Sequence, residues 1–269
     1  MSKTKLVVSA VAGVMAIAGL DAASAADLPV RAYTKAPVIA DPIYSWTGGY
    51  IGVNAGGAWG SSNSSTSTMF SPVGYFLPEN VPLVNAAGVQ NIKPNGFTGG
   101  FEAGYNWQAG NFVFGIEGDI ESFHLGGNAS TAAAYSGKTC PNQCFFVMSS
   151  AGTSWLATTR GRVGVAANNW LFFATGGAAF TSLKGSFSFA DNNPTTEAVS
   201  LSNNKTGYTL GGGIEAALWS RWSVKAEYLY VNFGSVSGTG ALMQVPMQPM
   251  FHSIDLKANI ARAGLNYRF

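Results

Sequence analysis

From Gly96 to Leu125 the chain alternates between two kinds of residue. Phe97, Gly99, Phe101, Ala103, Tyr105 and Trp107 fall on one side, and Thr98, Gly100, Glu102, Gly104, Asn106 and Gln108 on the other. Gln108-Ala109-Gly110-Asn111 reads as a turn. The alternation then resumes, with Phe112, Phe114, Ile116, Gly118 and Ile120 set against Val113, Gly115, Glu117, Asp119 and Glu121. A period of two belongs to β-strands, not helices. Each arm runs for about twelve residues, twice the usual length of a soluble strand. One face is aromatic and aliphatic, while the other carries four carboxylates. A soluble sheet buries its apolar face; a transmembrane barrel turns that face to lipid and its polar face to the lumen. The length and aromatic content favour the barrel.

The same alternation predicts six further strands. The first runs over Gly48–Gly60, the fourth over Ser154–Ala166 and the fifth over Trp170–Leu183. The sixth runs over Lys205–Ala217, the seventh over Trp222–Phe233 and the eighth from His252 to Phe269. Strand five is apolar on both faces, so its lumen and lipid sides are not assigned by the pattern. The connections alternate between long and short. Ser61–Pro94, Gly126–Thr153, Gly185–Asn204 and Gly234–Phe251 read as external loops, and the short connections between them as periplasmic turns. The predicted fold is an all-β, eight-stranded antiparallel up-and-down transmembrane barrel over residues 46–269. Closure also removes exposed strand edges. Trp46, Trp107, Trp170, Trp219 and Trp222 fall near the periplasmic strand ends, where an aromatic girdle is expected. Tyr105, Ile116, Val163, Val224 and Leu265 fall on the lipid face.

Composition sharpens this picture. Charged residues make up 10% of the 269, against about 25% in soluble domains. Glycine is abundant, at 34 residues. A net charge of +2 with no basic run gives no support to nucleic-acid binding. Lys3 and Lys5 precede an uncharged apolar run from Leu6 to Leu20, and Ala23-Ser24-Ala25 suits a cleavage site. Residues 1–25 therefore read as a cleaved signal peptide. Residues 26–45, with Pro29, Pro37 and Pro42, read as an extended periplasmic segment. In an exported chain the close pair Cys140 and Cys144 reads as a disulfide; two thiols without a nearby histidine make half a metal site at most.

Trp46-Thr47-Gly48-Gly49-Tyr50-Ile51-Gly52, the start Ala26-Asp27-Leu28-Pro29 and the end Asn266-Tyr267-Arg268-Phe269 resemble the small outer-membrane proteins of rhizobia and related alphaproteobacteria. These belong to the broad OmpA/OmpX-like group of barrels. The resemblance covers nearly all of the mature chain and departs in the loops, above all Ser61–Pro94 and the cysteine loop. It implies an envelope component of the bacterial outer membrane, and relatives include surface antigens and haem binders. It also implies that Leu265, Tyr267 and Phe269 resemble the signal read by the barrel-assembly machinery. The expected partners are outer-membrane lipid, lipopolysaccharide and that machinery.

Candidate chemistry is sparse. Gly211-x-Gly213-x-x-Ala216 lies inside a strand, not at a strand-to-helix turn, and so is not a dinucleotide motif. His124 and His252 read as solvated residues at the external rim. Glu102, Glu117, Asp119, Arg160, Arg162, Glu215, Lys225, Glu227 and Arg262 all point inward at similar counts from the periplasmic turns. In a barrel just wide enough to be filled by side chains, buried charges need partners. A packed salt-bridge layer therefore outweighs a catalytic reading, and no catalytic, cofactor or metal site is expected. The chain reads as a structural envelope barrel with a blocked lumen. A small-solute channel and a loop-borne receptor or haem binder are the alternatives.

Overall fold

The computed structural model describes residues 44–219 and 221–269. The expected signal peptide, and most of the expected periplasmic segment, lie outside the described residues. The elements in order are β1 (Gly48–Thr68), α1 (Val81–Gly88), β2 (Val89–Ile92), β3 (Asn95–Ala109), β4 (Phe112–Ala134), β5 (Cys144–Ala167), β6 (Trp170–Asp191), β7 (Thr196–Trp219), β8 (Trp222–Ala241) and β9 (Pro249–Arg268).

Each strand pairs antiparallel with its neighbours, and β1 pairs with β9 to close the ring. The sequence pattern predicts eight strands and the structure has nine, because one stave is in two pieces. β2 and β3 lie on the same side of β1, at Ser62–Ser65 and Gly48–Trp59 respectively. Lys93-Pro94 separates them, since proline has no N–H for the ladder. Following partners round the ring from Ile51 leads through Ala103, Gly118, Thr159, Ala178, Tyr208, Asn232 and Lys257 to Ser61. The ring thus closes with a stagger that tilts every stave.

Three of the four expected external loops are mostly strand, and the first, Ser61–Pro94, is strand at both ends with α1 between. β4 to β9 run for 20 to 24 residues, where about ten suffice to cross a bilayer. Serine and asparagine occupy both faces of these extensions, as at Ser61–Ser65, so alternation in hydrophobicity is absent although the strand period persists. The unforeseen helix α1 starts with Pro82 in its first turn, where a missing N–H costs nothing. It packs Val84 and Ala87 against the inner wall.

Above the membrane belt the wall divides. β7 and β8 pair only up to Tyr208 and Asn232, and β4 above Gly126 pairs with β5 alone. The upper part is therefore two sheets, β4-β5-β6-β7 and β8-β9-β1-β2, joined across their seams by side chains. Glu197 on β7 reaches His252 on β9, Oε1 to Nε2, at 2.8 Å. The Lys205 ammonium donates to the Ser235 carbonyl at 2.7 Å.

The outward faces of the staves carry the expected lipid-facing residues, with Ile116 60% and Val163 56% exposed. The strand expected as the fifth, here β6, resolves: Leu171 and Phe173 point inward, and Trp170 and Phe172 outward. Trp46 is a correction. It is fully buried and joins Val113, Leu171 and Phe173 in an apolar floor to the lumen, outside the girdle. Arg268 fixes it there, with its guanidinium over the Trp46 ring and donating to the Trp46 carbonyl.

Candidate functional site: the buried ionic layer

The lumen is filled in layers. Above the Trp46 floor lies a charged layer. On β4 its inward residues are Glu117, Asp119 and Glu121, and the next two inward residues are Phe123 and Leu125. On β8 Lys225 and Glu227 give way to Leu229, Val231 and Phe233, and on β9 Arg262 gives way to Ile260, Ala258 and Leu256. These apolar residues form one cluster above the charged layer. The alternation predicts a polar lumen; apolar clusters pack above and below the charges instead, beside buried polar groups such as Thr98, Asn106 and Asn266.

Within the layer, strand register sets the charges face to face. Glu102 pairs across from Asp119, and Glu117 lies opposite both Gly104 and Arg160. Like charges opposite one another repel, and the cations relieve this. Arg160 binds Glu117, Asp119 at 2.7 Å and Glu227 at 2.6 Å. Arg262 binds Glu121, Asp119 at 3.1 Å and Glu227 at 2.6 Å. The Lys225 ammonium lies 2.7 Å from Glu102 and 2.9 Å from Glu117. Arg162 binds Glu215 and stacks over the Phe173 ring at 3.8 Å. The nine residues singled out from the sequence thus meet in one layer, together with Glu121.

Six carboxylates (Glu102, Glu117, Asp119, Glu121, Glu215 and Glu227) face four cations, and neutral donors supplement them, while Asp119 Oδ1 and Arg162 Nε are buried without a hydrogen-bond partner. The Tyr50 hydroxyl donates to Glu117 at 2.6 Å and the Thr158 hydroxyl to Asp119 at 2.8 Å. Ser223 donates to Glu215 at 2.5 Å, and the Asn54 amide to Glu102 at 3.2 Å. These partners are polar residues on the same inward faces, so the alternation marks their side; their pairing depends on ring closure. Gly104 makes room for Tyr50, because a Cβ there would sit 2.5 Å from the Tyr50 hydroxyl oxygen. Gly213 similarly clears space for Phe173.

Two further polar centres lie higher up. His252 is buried, not at the rim. Its Nδ1 meets the Thr66 hydroxyl at 3.1 Å, its Nε2 meets Glu197, and its ring lies against Phe187. It falls inward because β9 continues past the expected rim to Pro249. His124 is exposed on the outer wall beside Ser122. At the top, Phe76, Val84, Phe145, Phe189, Leu242 and Met250 form a second apolar cluster. Asp191 accepts hydrogen bonds from the Tyr75 and Tyr135 hydroxyls, at 2.5 and 2.7 Å. Burial and the Asp191 carboxylate push both phenols above their ordinary range. Cys140 and Cys144 are joined by a disulfide in the connection between β4 and β5, with Cα atoms 5.4 Å apart. Leu265, Tyr267 and Phe269 face outward at the periplasmic end of β9, Tyr267 edge-on to Trp222.

A family model described as an outer membrane protein beta-barrel domain matches residues 12–269. The 31 kDa outer-membrane immunogenic protein of Brucella melitensis is 34% identical over 253 residues, covering 92% of this chain and 93% of its own. The 22 kDa outer membrane protein of Rhizobium leguminosarum is 31% identical over 144 residues, about half of each chain (52% and 54%). Among solved structures, the outer membrane protease OmpT of Escherichia coli aligns over 84% of this chain and 98% of its own. Its TM-score is 0.45 and its sequence identity 8%.

Proposed function

The chain belongs to the outer membrane beta-barrel family and resides in the bacterial outer membrane, and from that premise we propose that it is a structural envelope barrel with a closed lumen. The observation that carries this reading is the vertical order of the lumen. An apolar floor, an ionic layer and an apolar cluster follow one another up the lumen. Moving an ion through it would require breaking paired charges or hydrating packed hydrocarbon, each costing several kcal/mol.

The ionic layer serves rigidity in this reading. Multidentate arginine–carboxylate bonding ties β4, β5, β8 and β9 across the lumen at fixed geometry. Its carboxylates are held by cations and hydroxyls and sealed from both ends, which supports a role other than catalysis. Planar-bilayer recording of the refolded full chain tests closure. No steady conductance is expected; large, long-lived channels would overturn the closed lumen and promote the small-solute channel.

A surface-antigen role is a second reading, favoured by the staves and connections that project beyond the membrane belt and by relatives named as immunogenic. Haem binding draws little support from the histidines, since both ring nitrogens of His252 are engaged inside the wall. Surrounding lipid and the assembly machinery are the partners proposed for the outer wall and for the Leu265-Tyr267-Phe269 end.

A further inference from the structure

Five methionines lie among the described residues: Met69, Met148, Met243, Met247 and Met250. All five stand above the membrane belt, beyond the lipid-facing wall of aliphatic and aromatic residues. Four of them are open to solvent, with Met69 51%, Met148 47%, Met243 63% and Met247 65% exposed. Met250 is fully buried in the upper apolar cluster, beside Phe76 and Val84.

Met69, Met243 and Met247 are drawn together at the external tip. Met69 follows β1, and the other two lie in the connection between β8 and β9. The Leu242 N–H donates to the Gln248 carbonyl at 3.3 Å and the Gln248 N–H to the Val245 carbonyl at 2.9 Å, which closes residues 242–248 into a turn. The Gln248 side-chain amide then donates to the Met69 carbonyl at 2.8 Å. Phe70, Val73 and Leu77 are exposed in the neighbouring connection, so the surface of the tip is apolar. Leucine would serve an apolar surface equally well; a thioether adds reactivity. Its sulfur needs no deprotonation, so access governs its oxidation. The Met243 backbone N–H donates to the Thr196 carbonyl at 2.9 Å, and the Thr196 hydroxyl meets Met243 Sδ at 3.7 Å. A sulfoxide oxygen on that sulfur is a stronger acceptor for the same hydroxyl.

We propose that the external tip is a sulfoxidation site, at which Met69, Met243 and Met247 take up oxygen from a hydroperoxide and turn the tip from apolar to polar while the barrel stays folded. The sulfur attacks one peroxide oxygen, and the S–O bond forms as the O–O bond breaks. Sulfur gives up an electron pair; the proton of the transferred hydroxyl passes to the departing oxygen, which leaves as water. Each thioether becomes a polar sulfoxide. Met250 lies beneath the tip and reacts only when its cluster opens. The modification depends on the external connections and not on the lumen, so it stands or falls separately from the absence of conductance.

The test treats the refolded full chain, embedded in phosphatidylcholine nanodiscs, with millimolar hydrogen peroxide and follows each methionine by peptide mapping in a mass spectrometer. Met69, Met243 and Met247 should oxidise within about threefold of the rate of a free methionine peptide. Met250 should lag them by at least about tenfold. Heat-dependent gel mobility should be retained after treatment. Tip polarity is read as retention of the nanodiscs on a phenyl column at high salt. Oxidised wild type should lose retention. The variant carrying Met69→Leu, Met243→Leu and Met247→Leu should not, because leucine keeps the tip apolar and takes up no oxygen. Met148→Leu, on the outer face of β5, should leave the response of the wild type unchanged. Should the triple variant not fold, the peptide map of the wild type still decides, with Met250 as its internal reference. Oxidation of Met250 as fast as that of the tip, or a lag of the tip methionines more than about tenfold behind the free peptide, would overturn the proposal. So would an equal loss of phenyl retention in the triple variant, or collapse of the barrel on oxidation.

Discussion

Arg160 shows at the residue scale what the buried layer asks of a side chain. Its guanidinium touches Glu117, Asp119 and Glu227, from strands on both sides of the lumen. Truncation would leave three buried carboxylates short of a partner. Arg160→Ala should therefore cost about 3–5 kcal/mol, the usual penalty for breaking a buried pair, read as a lower urea midpoint in micelles. A change below about 1 kcal/mol would place the pair in the weak, solvated class. On the opposite face, Ile116→Arg should cost about 2–4 kcal/mol by placing a charge against lipid. Spin-label accessibility at Ile116 offers an independent check, since a water-exposed label would contradict the orientation. Gly104→Ala should act sterically. The added methyl would meet the Tyr50 hydroxyl and the Ile116 carbonyl oxygen, 2.5 and 2.6 Å away, pushing Tyr50 from Glu117 and straining the β3–β4 ladder, visible as altered tyrosine fluorescence and lower stability.

At the scale of elements, strand pairing builds the two upper sheets, and side chains from the connections tie the top together. Tyr75 from the β1–α1 connection and Tyr135 just past β4 converge on Asp191 at the end of β6. Gln248, before β9, donates to Thr68 at 2.7 Å and to the Met69 carbonyl at 2.8 Å. Both phenols have folded-state pKa values above their ordinary 10.0. Their contribution to stability is complete below pH 10 and is lost as pH rises through the higher folded values. Alkaline titration should therefore open the top while the strands persist, followed as late tyrosinate absorbance with unchanged far-ultraviolet dichroism. In Asp191→Asn that absorbance should appear at lower pH. Reducing the Cys140–Cys144 disulfide should loosen its own connection and leave the barrel's heat-dependent gel shift intact.

For the whole molecule, the proposed closure rests on several levels. The upper plug of Phe76, Val84 and their neighbours is one barrier, and the lower apolar cluster and ionic layer are two more. Replacing residues 70–87 with a short glycine-serine linker should thus leave a folded barrel that still does not conduct. Steady channels from that variant would place the closure in the top plug alone. The stagger of the ring explains why the charges share one layer. Staves tilt together, so residues at similar counts from the periplasmic turns arrive at similar depth.

The period of two, the strand order, the lipid-facing residues and the inward side of Glu102, Glu117, Asp119, Arg160, Arg162, Lys225, Glu227 and Arg262 were determined by the sequence itself. Alternation is a local property, and turn positions count depth along each strand. The serine- and asparagine-rich extensions of β1 and β7 were not legible as strand, because a strand polar on both faces leaves no contrast to detect. Nor could local pattern place Trp46. Its burial depends on the floor formed by Val113 of β4, Leu171 and Phe173 of β6 and Ala217 of β7. The alternation of the last strand begins at His252, which places it at the rim; pairing with β1 and β8 carries that strand to Pro249 and sets the imidazole inside, against Glu197. Tertiary structure decided these points, since what a side chain meets in the lumen is set by strands far away in sequence, brought opposite only when the ring closes.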